Sequence, residues 1–128
     1  MDANELEKRT TDFALEVIEL CPNLPNNYTG GVVGKQLLHS ATPVAANYQS
    51  ACRARSQAEF ASELQIVIEE SNECLFGLEL MAESNLLPED RVSQLLQEAD
   101  DLTAICVASR KTVTAKALVP NQYEAIHH

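Results

Sequence analysis

Residues 56–85, SQAEFASELQIVIEESNECLFGLELMAESN, decide the fold class. At about 100° per residue, Phe60, Leu64, Val67, Ile68, Ser71, Leu75, Leu78 and Ala82 fall on one side of a helix, the spacing that buries an apolar stripe. No proline interrupts the period, so the segment reads as one long helix from Ser56 to Asn85. Ile66, Phe76 and Leu80 point the opposite way, among Glu69, Glu73 and Gly77. A single chain would leave that second stripe in water, and large apolar side chains aligned on an outer face predict a contact with another subunit.

Working outward, Ser56 and Glu59 form a capping-box pattern: the serine oxygen accepts from the N–H of Glu59, and the glutamate reaches back to the N–H of Ser56. Arg53 and Arg55 then fall at the end of a preceding helix, where cations meet unpaired carbonyl groups. That helix is expected to begin near Val32 and to carry Leu37, Leu38, Ala41, Val44, Ala45, Tyr48 and Cys52 on its apolar side, with Pro43 kinking one continuous element. Upstream, Leu6, Phe13, Val17 and Leu20 mark a helix from about Asn4 to Cys21, and Pro22, Pro25, Asn26-Asn27 and Gly30-Gly31 read as the loop after it. Downstream, Pro88 with Glu89 and Asp90 opens a fourth helix, and Val92, Leu95, Leu96, Ala99, Leu102, Cys106, Ser109 and Val113 keep its period to about Thr114. Four amphipathic helices with short links predict an all-α, antiparallel up-down four-helix bundle over residues 1–114, followed by a loose tail, 115–128.

With 128 residues and 45% hydrophobic content, the chain supports one core and hence one domain. No run approaches the roughly 18 apolar residues of a membrane span, and the first twenty residues are too acidic for a secretory leader, so a cytoplasmic protein is expected. Cys21, Cys52, Cys74 and Cys106 form no C-x-x-C pair and read as reduced thiols acting as small apolar groups. The net charge of −10 is concentrated: between Gln57 and Asp101 there are 12 acids against Arg91 alone, a balance of −11, which leaves +1 for the rest. An acidic middle repels phosphate backbones, so nucleic acid is not expected on that face. Basic contacts fall to Lys8, Arg9, Arg53, Arg55, Arg110 and Lys111.

The segments QLLHSATPVAANY (36–48), ACRARS (51–56), Glu59-Phe60 and ECLFGLEL (73–80) resemble the bacterial four-helix bundle protein family, relatives of proteins encoded by intervening sequences in large-subunit ribosomal RNA genes. The resemblance covers about Phe13 to Arg110 and implies up-down helices assembled as a homopentameric ring. It also brings in the accessory proteins of diversity-generating retroelements, pentamers thought to bind nucleic acid and a reverse transcriptase. Three positions depart from the family pattern: His39 and Glu63 stand where basic residues are common, and Gly77 replaces a frequent aromatic. The first two remove positive charge, and Gly77 predicts either a groove or a tighter helix approach.

Asn47, a polar group on a mostly apolar helix, is expected to be a buried structural amide that fixes register. Glu69, Glu70, Glu73 and Glu79 invite a di-metal reading, but that chemistry requires Glu-x-x-His on two helices. Only Glu124–His127 fits, so neither metal nor any other cofactor is expected. No Ser or Cys has His and acid partners at recognisable spacing, and residues 29–35 lack the phosphate-loop pattern. The expectation is a non-catalytic homo-oligomer, a pentamer, acting as an interaction scaffold toward itself and an unidentified protein partner. Ile66, Phe76, Leu80 and an Arg53/Arg55 with Glu69/Glu73 charge set would make the subunit contact, and an RNA- or DNA-binding accessory factor is the alternative.

Overall fold

The chain's computed structural model describes residues 1–117, which form four helices: α1 (Ala3–Leu20), α2 (Tyr28–Cys52), α3 (Gln57–Glu83) and α4 (Glu89–Ala117). They run up and down as an all-α bundle, and α3 makes the two most extensive packing contacts, against α2 and α4. None of these helices is long and apolar enough to cross a membrane. Asp2 caps α1 by accepting from the Glu5 N–H at 2.9 Å, and Leu6, Phe13, Ala14, Val17 and Leu20 turn inward. Buried Thr10 is satisfied locally, its hydroxyl donating to the Glu7 carbonyl at 2.9 Å. A 3₁₀ turn, Cys21–Asn23, finishes this segment at Pro22.

The largest correction is at the start of α2, which begins at Tyr28 rather than near Val32. Gly30 and Gly31 belong to its first turn instead of the loop, because the Asn27 side chain caps the helix and accepts from the Gly30 N–H at 2.9 Å. A methyl group at Gly30 would meet the Pro25 carbonyl oxygen at 2.1 Å, so only a glycine lets the incoming chain lie against this turn. From there α2 continues through Pro43 to Cys52 as the single element expected. Pro43 leaves the His39 carbonyl without its helical donor, while the Thr42 hydroxyl one residue earlier donates to the Leu38 carbonyl at 2.7 Å.

Ser56 caps α3 as its sequence implies, accepting from the Glu59 N–H at 3.0 Å. The reciprocal half of the box differs: the Glu59 carboxylate accepts from the Arg55 N–H at 3.4 Å, where the turn into the extended Ser56 (φ −150, ψ 163) presents that group. At its other end the helix closes in a Schellman motif. Asn85 adopts φ 58, its N–H reaches the Ala82 carbonyl at 3.4 Å, and the Leu86 N–H reaches that of Met81 at 3.3 Å. Along α3, Leu64, Val67, Ile68, Ser71 and Leu78 are buried as expected, but so are Cys74 and Met81, while Phe60, Leu75 and Ala82 are only partly covered. Contact with two neighbouring helices widens the buried arc beyond one stripe. Ser71 is accommodated because the Thr103 hydroxyl on α4 donates to its oxygen at 2.8 Å, and Ser71 donates in turn to the Ile68 carbonyl at 3.1 Å.

Val92, Leu95, Ala99, Leu102 and Cys106 complete the core from α4, with Leu96, Ser109 and Val113 half-buried. This helix runs to Ala117, so residues 115–117, expected in the loose tail, are helical. The remainder of that expected tail lies outside the described residues. Arg9 ties α1 to α4 through a two-pronged ion pair with Glu98, its Nε donating to one carboxylate oxygen at 3.0 Å and its Nη2 to the other, with Asp101 at 3.8 Å.

Candidate functional site: an apolar groove between α2 and α3

The outward side of the α2–α3 seam holds an open groove of about 600 Å³. α2 contributes Val33, Gln36, Leu37, His39 and Ser40, and α3 contributes Asn72, Glu73, Phe76, Gly77 and Leu80. The two walls are tied together by the Ser40 hydroxyl, which donates to Glu73 Oε2 at 3.1 Å. Above that bond the lining is mostly apolar. Phe76 is 63% exposed and Leu80 46%, far beyond what a helix in a closed bundle leaves to its large apolar groups. Gly77 resolves as a groove rather than a close helix approach: a methyl there would sit 3.7 Å from Leu37 Cδ1, an ordinary contact, so packing does not demand glycine. Its missing side chain deepens the space between Phe76 and Leu80.

Charge surrounds the groove on one side. Glu69 accepts from the Gln65 amide one turn away at 3.3 Å. Burial, and then the charges of Glu73 and Glu69, push Glu70 above the usual carboxylate range. Glu73, Phe76 and Leu80 thus meet in one place as expected, while Ile66, 40% exposed, lies ten residues below Phe76, about 15 Å along the helix. Arg53, Arg55, Ser56 and Glu59 belong to the α2–α3 turn at the far end of the bundle, all of them exposed. Asn47 is half-buried rather than buried, two turns below Ser40 on the same side of α2, and its side chain makes no hydrogen bond to another described residue. The buried structural amide expected there is therefore not what the fold contains.

The α2 wall is the part that sequence reasoning missed. Gln36, His39 and Ser40 follow at helical spacing, but which α2 residues oppose Phe76 depends on how the two helices are set against each other. On α1, Leu15 and Ile18 lie away from the Phe13–Val17 stripe at helical spacing and are exposed. Among the described residues no group of three or more His, Cys, Asp or Glu side chains is placed to hold a metal ion. All four cysteines are free; Cys74 and Cys106 are buried, Cys21 is half-buried, and Cys52 is exposed, contrary to the apolar role expected of it. The groove offers an apolar surface with a hydrogen-bonding rim, in which His39 lies beside the Ser40–Glu73 pair.

These features can be set beside known proteins. A crystal structure of a protein of unknown function from the S23 ribosomal protein family of Bacteroides thetaiotaomicron is similar, with 26% identity, a TM-score of 0.79, and coverage of 87% of this chain and 99% of that one. No match is found among the curated proteins. The 23S rRNA-intervening sequence protein family matches residues 3–108, nearly the whole bundle, and the chain belongs to that family.

Proposed function

We propose that the protein is a non-catalytic homo-oligomer, a pentameric ring in the cytoplasm, that serves as an interaction scaffold. The observation carrying this reading is the exposure of Phe76 and Leu80 along a preformed groove. Covering such side chains by association removes apolar area from water at about 25 cal/mol per Å², and a second copy of the chain is always present to do so. The subunit contact runs over α2 and α3 through Ile66, Phe76 and Leu80. Arg53 and Arg55 lie too far down the bundle to reach Glu69 or Glu73 of their own chain, and copies standing level in a ring keep that separation, so the charge set is not part of the subunit contact. Multi-angle light scattering tests the assembly: several times the 14.0 kDa chain mass is expected at micromolar concentration, and a monomer refutes it.

One observation favours a second reading, an RNA- or DNA-binding accessory role. Arg53, Arg55, Arg110, Lys111 and Lys116 lie toward the end of the bundle where α2 and α4 finish, interspersed with Asp2, Glu5, Glu7, Glu59 and Glu63 from the starts of α1 and α3, whereas Glu79, Glu83, Glu89 and Asp90 occupy the opposite end. Binding through those basic residues would weaken steeply with added salt. No mobility shift with either nucleic acid at low salt removes the reading.

A further inference from the structure

We infer that the α2–α3 groove takes a basic amphipathic helix from a partner protein, apolar at its two ends and carrying lysine or arginine in its middle turn. This rests on the interaction-scaffold reading above and names the partner. Because the same residues make the subunit contact proposed there, the helix and a second copy exclude each other. The first ground is periodicity. Ile66, Glu69, Glu73, Phe76 and Leu80 follow one another along α3 at steps of three, four, three and four residues, the repeat of a coiled-coil seam. All five are exposed, on the side of α3 turned away from the buried Leu64, Ser71 and Leu78.

The facing wall of α2 has the same repeat. The Ser40–Glu73 hydrogen bond sets the register. In antiparallel helices of equal rise it places Gln36 level with Gly77, Val33 with Leu80, Pro43 with Glu70 and Asn47 with Ile66. Val33, Gln36, Ser40, Pro43 and Asn47 therefore border one side of a seam whose other side is the α3 stripe. From Ile66 to Leu80 the seam is about 21 Å long, roughly four turns of helix. Two adjacent walls at heptad spacing form holes of the kind that receive the side chains of a third helix, and Gly77, which packing does not require, leaves room for one between Phe76 and Leu80.

Charge decides which kind of helix fits. Glu69 and Glu73 occupy the middle of the stripe, with Glu70 beside them at the edge nearer α2. Across α2 and α3 the only lysine or arginine is Lys35, and it does not line the groove. Among the described residues no ion pair involves any of the three acids. The α2 wall adds acceptors rather than cations: the Ser40 hydroxyl gives its proton to Glu73, and Pro43 leaves the His39 carbonyl without a helical donor. A second copy offers no match, because nowhere in the chain do two lysine or arginine residues stand three or four positions apart. Such a copy covers the apolar ends of the stripe and leaves Glu69 and Glu73 uncompensated. A helix with two basic residues in its middle turn satisfies both parts.

A helical probe tests this: an end-blocked, Ala-rich peptide of about 20 residues, long enough to hold a helix. It carries Leu, Leu, Lys, Lys, Leu and Leu at alternating three- and four-residue steps, a palindromic order that fits the seam in either direction. Anisotropy of the labelled peptide measures binding, light scattering follows the mass of the protein, and circular dichroism checks that each variant is folded. Micromolar binding is expected, abolished by Phe76→Glu/Leu80→Glu and weakened at least about ten-fold by Glu69→Lys/Glu73→Lys, which sets like charges together. Glu69→Lys alone, which keeps the Ser40–Glu73 bond, should weaken it less. Replacing both peptide lysines by glutamate should reverse the preference, giving binding to Glu69→Lys/Glu73→Lys and none to the wild type. As peptide saturates, an assembled wild type should fall to the mass of one 14.0 kDa chain with one peptide. Equal binding of a scrambled peptide of the same composition, or binding indifferent to these variants, would reduce the attraction to that of any cation for an acidic chain and overturn the inference. Absence of binding overturns it too, and in each case the oligomer is untouched. A wild type that is monomeric before peptide is added removes the oligomer and leaves the helix site to be judged by the titration.

Discussion

The neighbouring glycines at the start of α2 predict opposite responses to the same substitution. At Gly30 a new Cβ would lie 2.1 Å from the Pro25 oxygen and 3.0 Å from its carbon, both backbone atoms that no side-chain rotation can move aside. Opening that contact to van der Waals distance requires about 1 Å of main-chain displacement, an overpacking cost of about 1–3 kcal/mol, only partly offset by the ~1 kcal/mol that alanine gains over glycine in a helix. At Gly31 nothing lies within 4 Å, so alanine there should stabilise by about 0.4–1 kcal/mol, chiefly by restricting the unfolded chain. The two variants should therefore differ by roughly 1–3 kcal/mol, or roughly 3–15 °C in melting temperature for a chain of this size. Thermal denaturation followed by circular dichroism at 222 nm measures it, at one protein concentration so that association does not enter. A Gly30→Ala protein that melts with or above Gly31→Ala would show that the Pro25 carbonyl does not press on this turn, and the reasoning about where α2 begins would fail with it.

Two other expectations concern the core and the α3 cap. Burial raises the Cys106 thiol from its ordinary 9.0 to about 11, and burial together with the Glu70 and Glu73 charges raises Cys74 to about 12. Since the folded chain then holds protons that the unfolded chain releases, this contribution is complete below pH 9 and is lost as pH rises toward 11–12, on the order of 1–4 kcal/mol per thiol. Urea midpoints should fall across that window, and less steeply for Cys74→Ala/Cys106→Ala than for wild type; equal slopes would reject the assignment. Ser56→Ala should cost about 1 kcal/mol by leaving the Glu59 N–H unpaired, whereas Ser56→Asp should retain most of the stability; a urea titration showing identical losses for both would rule out the cap.

Which residues are helical, and which side of each helix is greasy, follow from local spacing alone, and for that reason the four elements, the Ser56 cap, the Asn85 stop and the outward position of Phe76 and Leu80 were all readable in one dimension. What faces those residues was not. The partnership of Ser40 with Glu73, the burial of Cys74 and Met81, and the pressing of Pro25 onto Gly30 depend on how far one helix slides and rolls against another. Helical period fixes the direction of a side chain about its own axis, and leaves the offset between two axes free until their surfaces interlock. Asn47 and Gly30-Gly31 were misplaced for this reason: a polar residue on an apolar helix looks buried, and paired glycines look like a loop, until a neighbouring element supplies or withholds the contact. The groove exists only once α2 and α3 are docked, because its two walls come from segments more than thirty residues apart whose relative height is set by core packing.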